Sequence, residues 1–581
     1  MDEKLRYYEE ELNYLIESGR EFARHHPDRA EHLALSDPRY RDPHVQRLME
    51  SFAFLTGRVR QRLDDDFPEL THALLGLVWP HYLQPIPSIA LLQFTPAGLQ
   101  KQETVEQGFL VDSKAEADEV SCRFRTAYDV DIFPFTLDDA TFLVDESGRP
   151  LFRLRFKITD GADASNLTVD RLRLFVSGEG STASELHRIL RQEVESVALR
   201  MDRDSMRRLP ASSIRTVGFA EEEAVVPYPR ISFPGYRLFT EYFVFPEKFR
   251  FVDLCGLGDI DLEPGQETFE VDLLLKQRPA ENLHPSSDTF KLYVTPIINV
   301  FPREGEPIHI DHLKTRYRVL GDYTHPTAFE VVSVDDVTAV RRSDGAKIPR
   351  KPFYSFEFGD GSDEFDKEDI YYQITHTVGT DGGWHTHLAL ISQEQDRLPE
   401  PETLSLTLTC TNGRLCQQVG PGGVRLAAER GMESVSFTNI TVPTPPIYPP
   451  LGSGSEWRFI SHMALNFLSV ADAGALRKIL ELYNIGNDPA NTRRIESIRS
   501  SVARPVEALV DGTPIRGTEV TLTIDEDHFD NRGDLLLFIE VINEFLSLHA
   551  SINSYVRLVV RYEPSGEEYR CPMAHGRKPP L

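Results

Sequence analysis

The sequence predicts an α+β multidomain protein. An N-terminal helical region is followed by a central antiparallel β-rich region of sandwich-like domains and then by a C-terminal α+β domain. Three observations predict this layout. Apolar residues recur every three to four positions as far as about residue 85, alternate with polar ones from about residue 88, and return to helical spacing beyond a proline- and glycine-rich break. The expected divisions are 1–87 as a helical assembly region, 88–440 as a β-rich region of two domains, 441–455 as a Pro/Gly/Ser linker and 456–581 as the α+β domain.

The first element places Leu5, Tyr8, Leu12, Leu15 and Phe22 on one stripe of a helix, with Glu9, Glu10, Glu17 and Arg20 opposite. A second helix opens at Asp42-Pro43, a cap followed by proline at the first helical position. Its stripe is Val45, Leu48, Phe52, Leu55, Val59 and Leu63. A third begins near Pro68, behind three aspartates that suit a helix N-terminus, and ends by Pro80. The period then becomes two. Phe152, Leu154, Phe156 and Ile158 alternate with Arg153, Arg155 and Lys157. Phe269, Val271 and Leu273 alternate with Glu270 and Asp272, and Leu404, Leu406, Leu408 and Cys410 with Ser405, Thr407 and Thr409. Such strands have one wet face and belong to antiparallel sheets. One helix, near Ser184–Val194, interrupts them.

Thr441–Pro450 carries five prolines in ten residues and runs into Gly452–Ser455, a stiff segment followed by a flexible one. Beyond it, Trp457, Ile460, Met463, Phe467 and Leu468 suggest one helix, and Leu476, Ile479, Leu480 and Tyr483 another. Strands at Val520–Ile524 and Val556–Val560 flank an apolar helix from Asp534.

Composition excludes several classes. The 581 residues are enough for about three to five domains. A net charge of −28 opposes nucleic acid and anionic lipid, both of which call for a basic footprint. Five scattered cysteines do not make a disulfide scaffold. The acidic N-terminus is unlike a secretory signal, and the apolar run Leu535–Leu548, interrupted by two glutamates, is shorter than the roughly 20 residues of a membrane span. A cytoplasmic protein with reduced thiols is expected.

The search for chemistry is negative. His385 and His387 share one strand face without a third ligand fixed by spacing. His309, Asp311 and His312 lack the leading pair of a metallohydrolase run. Cys410 and Cys416 are too far apart for a zinc ribbon. Asp360–Asp369 lacks EF-hand spacing, and Gly256-Leu257-Gly258 lacks the third glycine of a dinucleotide loop. No catalytic residue, metal ligand or cofactor is predicted. The helical stripes point to packing of helix on helix. Their partners are either each other or the helices of another chain, and pattern alone leaves both open.

Longer motifs add a resemblance. Tyr7–Pro27 (YYEEELNYLIESGREFARHHP), Asp42–Leu75 (DPHVQRLMESFAFLTGRVRQRLDDDFPELTHALL), Trp79–Phe94 (WPHYLQPIPSIALLQF), Glu241–Leu257, Ile298–His312, Trp457–Val470 and Ala550–Leu558 together resemble the TssF family of bacterial type VI secretion baseplates. The resemblance spans nearly the whole chain. It implies a structural wedge subunit without enzymatic activity or cofactor. Such a subunit pairs with TssG, typically two copies to one, and joins TssK, the sheath-linked TssE and a central spike hub in a baseplate that starts polymerisation of tail tube and sheath. It also implies a cytoplasmic location at a membrane-docked baseplate, reached through partners and without membrane insertion. In related phage wedges, N-terminal helices of several chains form a shared bundle. By that analogy Leu5, Tyr8, Leu12, Leu15, Val45, Leu48, Phe52 and Leu55 are candidate partner contacts. The competing readings are a β-rich hydrolase acting on carbohydrate, which needs two carboxylates about 5–10 Å apart in one cleft, and a passive scaffold unrelated to secretion.

Overall fold

The computed structural model describes residues 43–65, 75–76, 79–114 and 120–576, together with Tyr8, Leu12 and Leu15. Within 120–576 it leaves out 163–166, 179, 202–205, 230–231, 261, 263–265, 281–282, 284, 312–313, 343, 354–369, 380–381, 393–401, 428–433, 451–470, 511–512 and 553. The chain divides into two compact units, residues 1–77 with 452–458, and residues 78–451 with 459–581. In the first unit α1 (Pro43–Asp65) starts at the proline that the sequence places at the first helical position. Of the helix expected near Pro68 only Leu75 and Gly76 are described, and both are helical; the helix expected from Trp457 lies outside the described residues, as do Leu5 and Phe22.

The second unit is β-rich and built from several sheets, nearly all antiparallel. A six-stranded sheet has the order Val424–Ala427, Leu110–Ser113, Arg123–Thr126, Val294–Ile298, Ile89–Pro96, Val435–Asn439. A five-stranded sheet includes Thr268–Leu275 beside Pro150–Ile158, and a four-stranded sheet includes Phe251–Ile260 beside Leu167–Val176. One buried cluster takes Leu92 and Phe94 from the first sheet, Phe152, Phe156 and Phe269 from the second, and Leu172 and Leu174 from the third. Period-two sequence explains the other face. Arg153 and Arg155 stand opposite Asp272 and Glu270 across the strand pair, and the Arg153 guanidinium grips Asp272 with two bonds of 2.7 and 2.8 Å. The Gly256–Gly258 run is a β-bulge. Both glycines have positive φ, and the register shifts between Cys255 and Gly258.

A second core lies between two further sheets. Glu402–Thr411 pairs with Glu330–Arg341, while Trp384–Ser392 pairs with Ile370–Val378. Leu404, Leu406, Leu408 and Cys410 are all buried in it. The two β bodies meet at an amide pair. Asn299 donates to Asn412 Oδ1 at 2.9 Å and accepts from the Asn412 N–H at 2.7 Å, and both side chains are buried. Residues 441–450, expected to open the linker, run extended along the first sheet. Thr441 and Thr444 hydroxyls accept from the Leu91 and Ile89 amides at 2.9 and 3.0 Å, and Tyr448 donates to Glu330 at 2.8 Å.

Helix α2 (Gly180–Arg188) continues into a π turn at Ile189–Glu193, and α3 (Gly235–Val244) is buried along nearly its whole length. The C-terminal part of this unit contains α4 (Ala473–Tyr483), α5 (Pro489–Glu496) and a long hairpin, Ile498–Val510 with Thr513–Asp525. Then α6 (Arg532–His549) crosses over to Tyr555–Glu563, which pairs in parallel with Thr513–Asp525. Leu476, Ile479, Leu480 and Tyr483 are buried on one face of α4. Helix α6 is apolar almost all round because it is enclosed on most sides, and no described helix is long and apolar enough to cross a membrane. Tyr236 of α3 stacks on Tyr483 of α4, with ring centroids 5.1 Å apart, and Phe239 meets Phe545 of α6 at 4.2 Å.

Candidate assembly surface

At 100° per residue, the described side chains of the α1 stripe fall on two adjoining lines. Val45, Met49 and Thr56 are half-buried and Ala53 is fully buried, and these four lie along one line of the helix. The adjoining line is open: Leu48 is 71% exposed, Phe52 53% and Leu55 59%. The stripe expected from the sequence is therefore split, with Val45 on the inward line and its other three described members outward. Phe54 is 62% exposed too, but lies about 100° further round the helix, past Ser51 and Arg47. It stands off the 3–4 spacing, so periodicity did not select it. The only signal for it was a large apolar residue on a helix side otherwise suited to polar ones. Tyr8, Leu12 and Leu15 are helical and half-buried, and the side chains of Val59 and Leu63 lie outside the described residues. Leu48, Phe52, Phe54 and Leu55 are thus large apolar side chains exposed on one helix.

The residues tested for chemistry are placed by packing. His385 and His387 lie on one side of Trp384–Ser392, with Thr386 buried between them on the other. Burial holds His387 below the usual imidazole range, and its charged neighbours His385, Arg318 and Arg316 push it further down, a setting that repels a cation. His309 pairs with the Thr403 hydroxyl at 2.9 Å, and Asp311 accepts from Tyr317 at 3.1 Å, while His312 lies outside the described residues. Cys410 and Cys416 are buried in different cores. Burial raises the Cys410 thiol to about 12, and burial beside the Cys122 thiol raises that of Cys416, so neither favours the thiolate. Asp360–Asp369 lies outside the described residues. Among the described residues, no three His, Cys, Asp or Glu side chains come together as metal ligands.

Sequence comparison decides the family. The model of the family described as "Type VI secretion system, TssF" matches residues 1–578. The chain belongs to the TssF family. It is 31% identical to type VI secretion system component TssF1 of Pseudomonas aeruginosa, an alignment that covers 99% of both sequences. It is also similar to a chain of the type VI secretion TssK-TssF-TssG baseplate subcomplex solved by cryo-electron microscopy. That match has a TM-score of 0.75 and 32% identity, and covers 92% of this chain and all of the other. A chain of the type VI baseplate complex matches with a TM-score of 0.65 and 30% identity, covering 99% of this chain and all of that one. The protein is thus a structural baseplate subunit of a type VI secretion system. The resemblance read from the sequence motifs was to this same family.

Proposed function

We propose that this chain acts as a non-catalytic wedge subunit that binds its neighbours through the outward face of α1, with residues 1–87 as the assembly region. The observation that carries this reading is the exposure of Leu48, Phe52, Phe54 and Leu55 on a helix whose other side is closed by Ala53. Burying such a face against a partner helix contributes about 25 cal/mol for each Å² of apolar area removed from water. The similar chain in the TssK-TssF-TssG subcomplex supports TssG and TssK as the partners. Two copies per TssG, contacts to TssE and the spike hub, and a cytoplasmic site at the docked baseplate complete the proposal. The carbohydrate hydrolase alternative gains nothing from these relatives, which are baseplate components.

The test is co-expression of the full chain with TssG and TssK. Leu48→Asp or Phe52→Asp, each confirmed folded by circular dichroism, is expected to abolish co-purification. Retention of TssG by both variants would move the interface elsewhere.

A further inference from the structure

Where Pro85–Pro87 approaches Val226–Pro229 and the end of α4, the second unit forms a partly open cavity of about 320 Å³. Its walls include Tyr82, Ile86, Val300 and Tyr483, and no Asp or Glu among the described residues lines it. The cations in it are Arg125 and Arg237, which also line a neighbouring cavity of about 590 Å³ whose one carboxylate among the described residues is Glu221. His81 lines the first cavity as well.

These three side chains differ in what they already hold. Arg237 donates to the carbonyls of Glu221 and Ala220 at 3.0 and 2.9 Å, and fastens that loop to α3. The His81 ring meets the Ser232 hydroxyl through Nδ1 at 3.3 Å, while its Nε2 is shielded and has no partner among the described residues. Arg125 has neither a carboxylate nor a carbonyl partner for its guanidinium among the described residues. Its neighbours on strands are treated otherwise. Arg123 is bonded to Asp112 at 2.9 and 3.0 Å, Arg153 to Asp272, and Arg173 to Asp253 at 2.7 and 2.8 Å. Arg125 is half-buried, in a chain with 91 acidic residues against 63 basic ones, and pairs with none of the described carboxylates. Burial alone acts on Arg125 and weakens its hold on its proton. That desolvation is offset only when an anion arrives.

We propose that this cavity is a carboxylate-binding site in which Arg125 grips the carboxylate and the tyrosine and isoleucine walls take an apolar body. A single planar guanidinium matches a planar carboxylate through two parallel bonds. The carboxylate belongs either to a small organic acid or to an acidic side chain inserted by a neighbouring subunit.

Phenylacetate, titrated calorimetrically into the full-length chain, is the probe. It is expected to bind, and the neutral isostere phenylacetamide is expected to bind at least about tenfold more weakly, as is phenylacetate to Arg125→Gln. Arg125→Lys keeps the charge and loses the fork, and is expected to fall between, so a folding defect in one variant does not decide the matter. The exposed-site variant Lys101→Gln is expected to bind as the parent does. Repeating the titration on the assembled baseplate complex separates the sources. Blocked binding assigns the site to a neighbour's acidic side chain, and retained binding assigns it to a soluble acid. Equal binding of acid and amide, absence of binding by both, or an unchanged Arg125→Gln would overturn the proposal.

Discussion

Glu241 and Lys248 are fully buried and bonded to each other. The carboxylate also accepts from the Val225 and Val226 amides at 2.7 and 3.1 Å, and the Lys248 ammonium donates to the Glu223 carbonyl at 3.0 Å. Burial lowers Lys248 to about 8, so its charge depends on the carboxylate beside it. Glu241→Gln leaves that ammonium without its counter-ion and is expected to destabilise the fold by about 3–5 kcal/mol. Adding Lys248→Met is expected to recover part of the loss, and thermal denaturation of the single and double variants checks both. A second residue sets a pH dependence. Burial, with Arg191 and Arg250 nearby, lowers His187 from its ordinary 6.5 to about 3. The folded state keeps it neutral while the unfolded chain protonates near 6.5. Its contribution is therefore present above pH 6.5 and is lost as pH falls toward 3, by up to about 1.4 kcal/mol per pH unit. A melting-temperature series from pH 7 to pH 5 is expected to slope downward, and His187→Gln to flatten it. Neither residue could be read from the sequence. A buried charge pair seven positions apart looks like ordinary surface until the fold closes over it.

At the scale of elements, period-two alternation at 152–158, 269–273 and 404–410 did identify strands, because each has one face on a core and one toward water. It could not say that Ile89–Pro96 lies between strands at 294–298 and 435–439, since that pairing spans more than 100 residues of chain. The proline-rich segment was legible as extended but not as bonded, because proline content reports stiffness and not attachment. Helix α6 shows a close approach that its apolar pattern conceals. A Cβ on Gly533 would lie 2.2 Å from the Ser184 carbonyl oxygen of α2, so the helices touch through backbone. Gly533→Ala is expected to force α6 away and cost about 1–3 kcal/mol, read as a lower melting temperature. The Asn299–Asn412 pair joins the two β bodies in a similar way, through groups that sequence periodicity does not distinguish.

For the whole molecule, charge spoke against nucleic acid and anionic lipid but left assembly and a hydrolase both open, and it was the long motifs that pointed to the family. Residue-level contacts remained open because a stripe such as Val45, Leu48, Phe52 and Leu55 has the same spacing whether it closes inside one chain or between two. The exposure of its last three members favours the second case. With that face open, the isolated chain is expected to self-associate, and size-exclusion chromatography should show Leu48→Asp eluting earlier as aggregate less often than the parent. The account's central claim is that the protein works by joining neighbours. The measurement that tests it most directly is the composition of the particle purified after co-expression with TssG and TssK. The account predicts a complex with two copies of this chain per TssG, lost when Phe52 is made Asp. A monodisperse single chain that ignores both partners would contradict it.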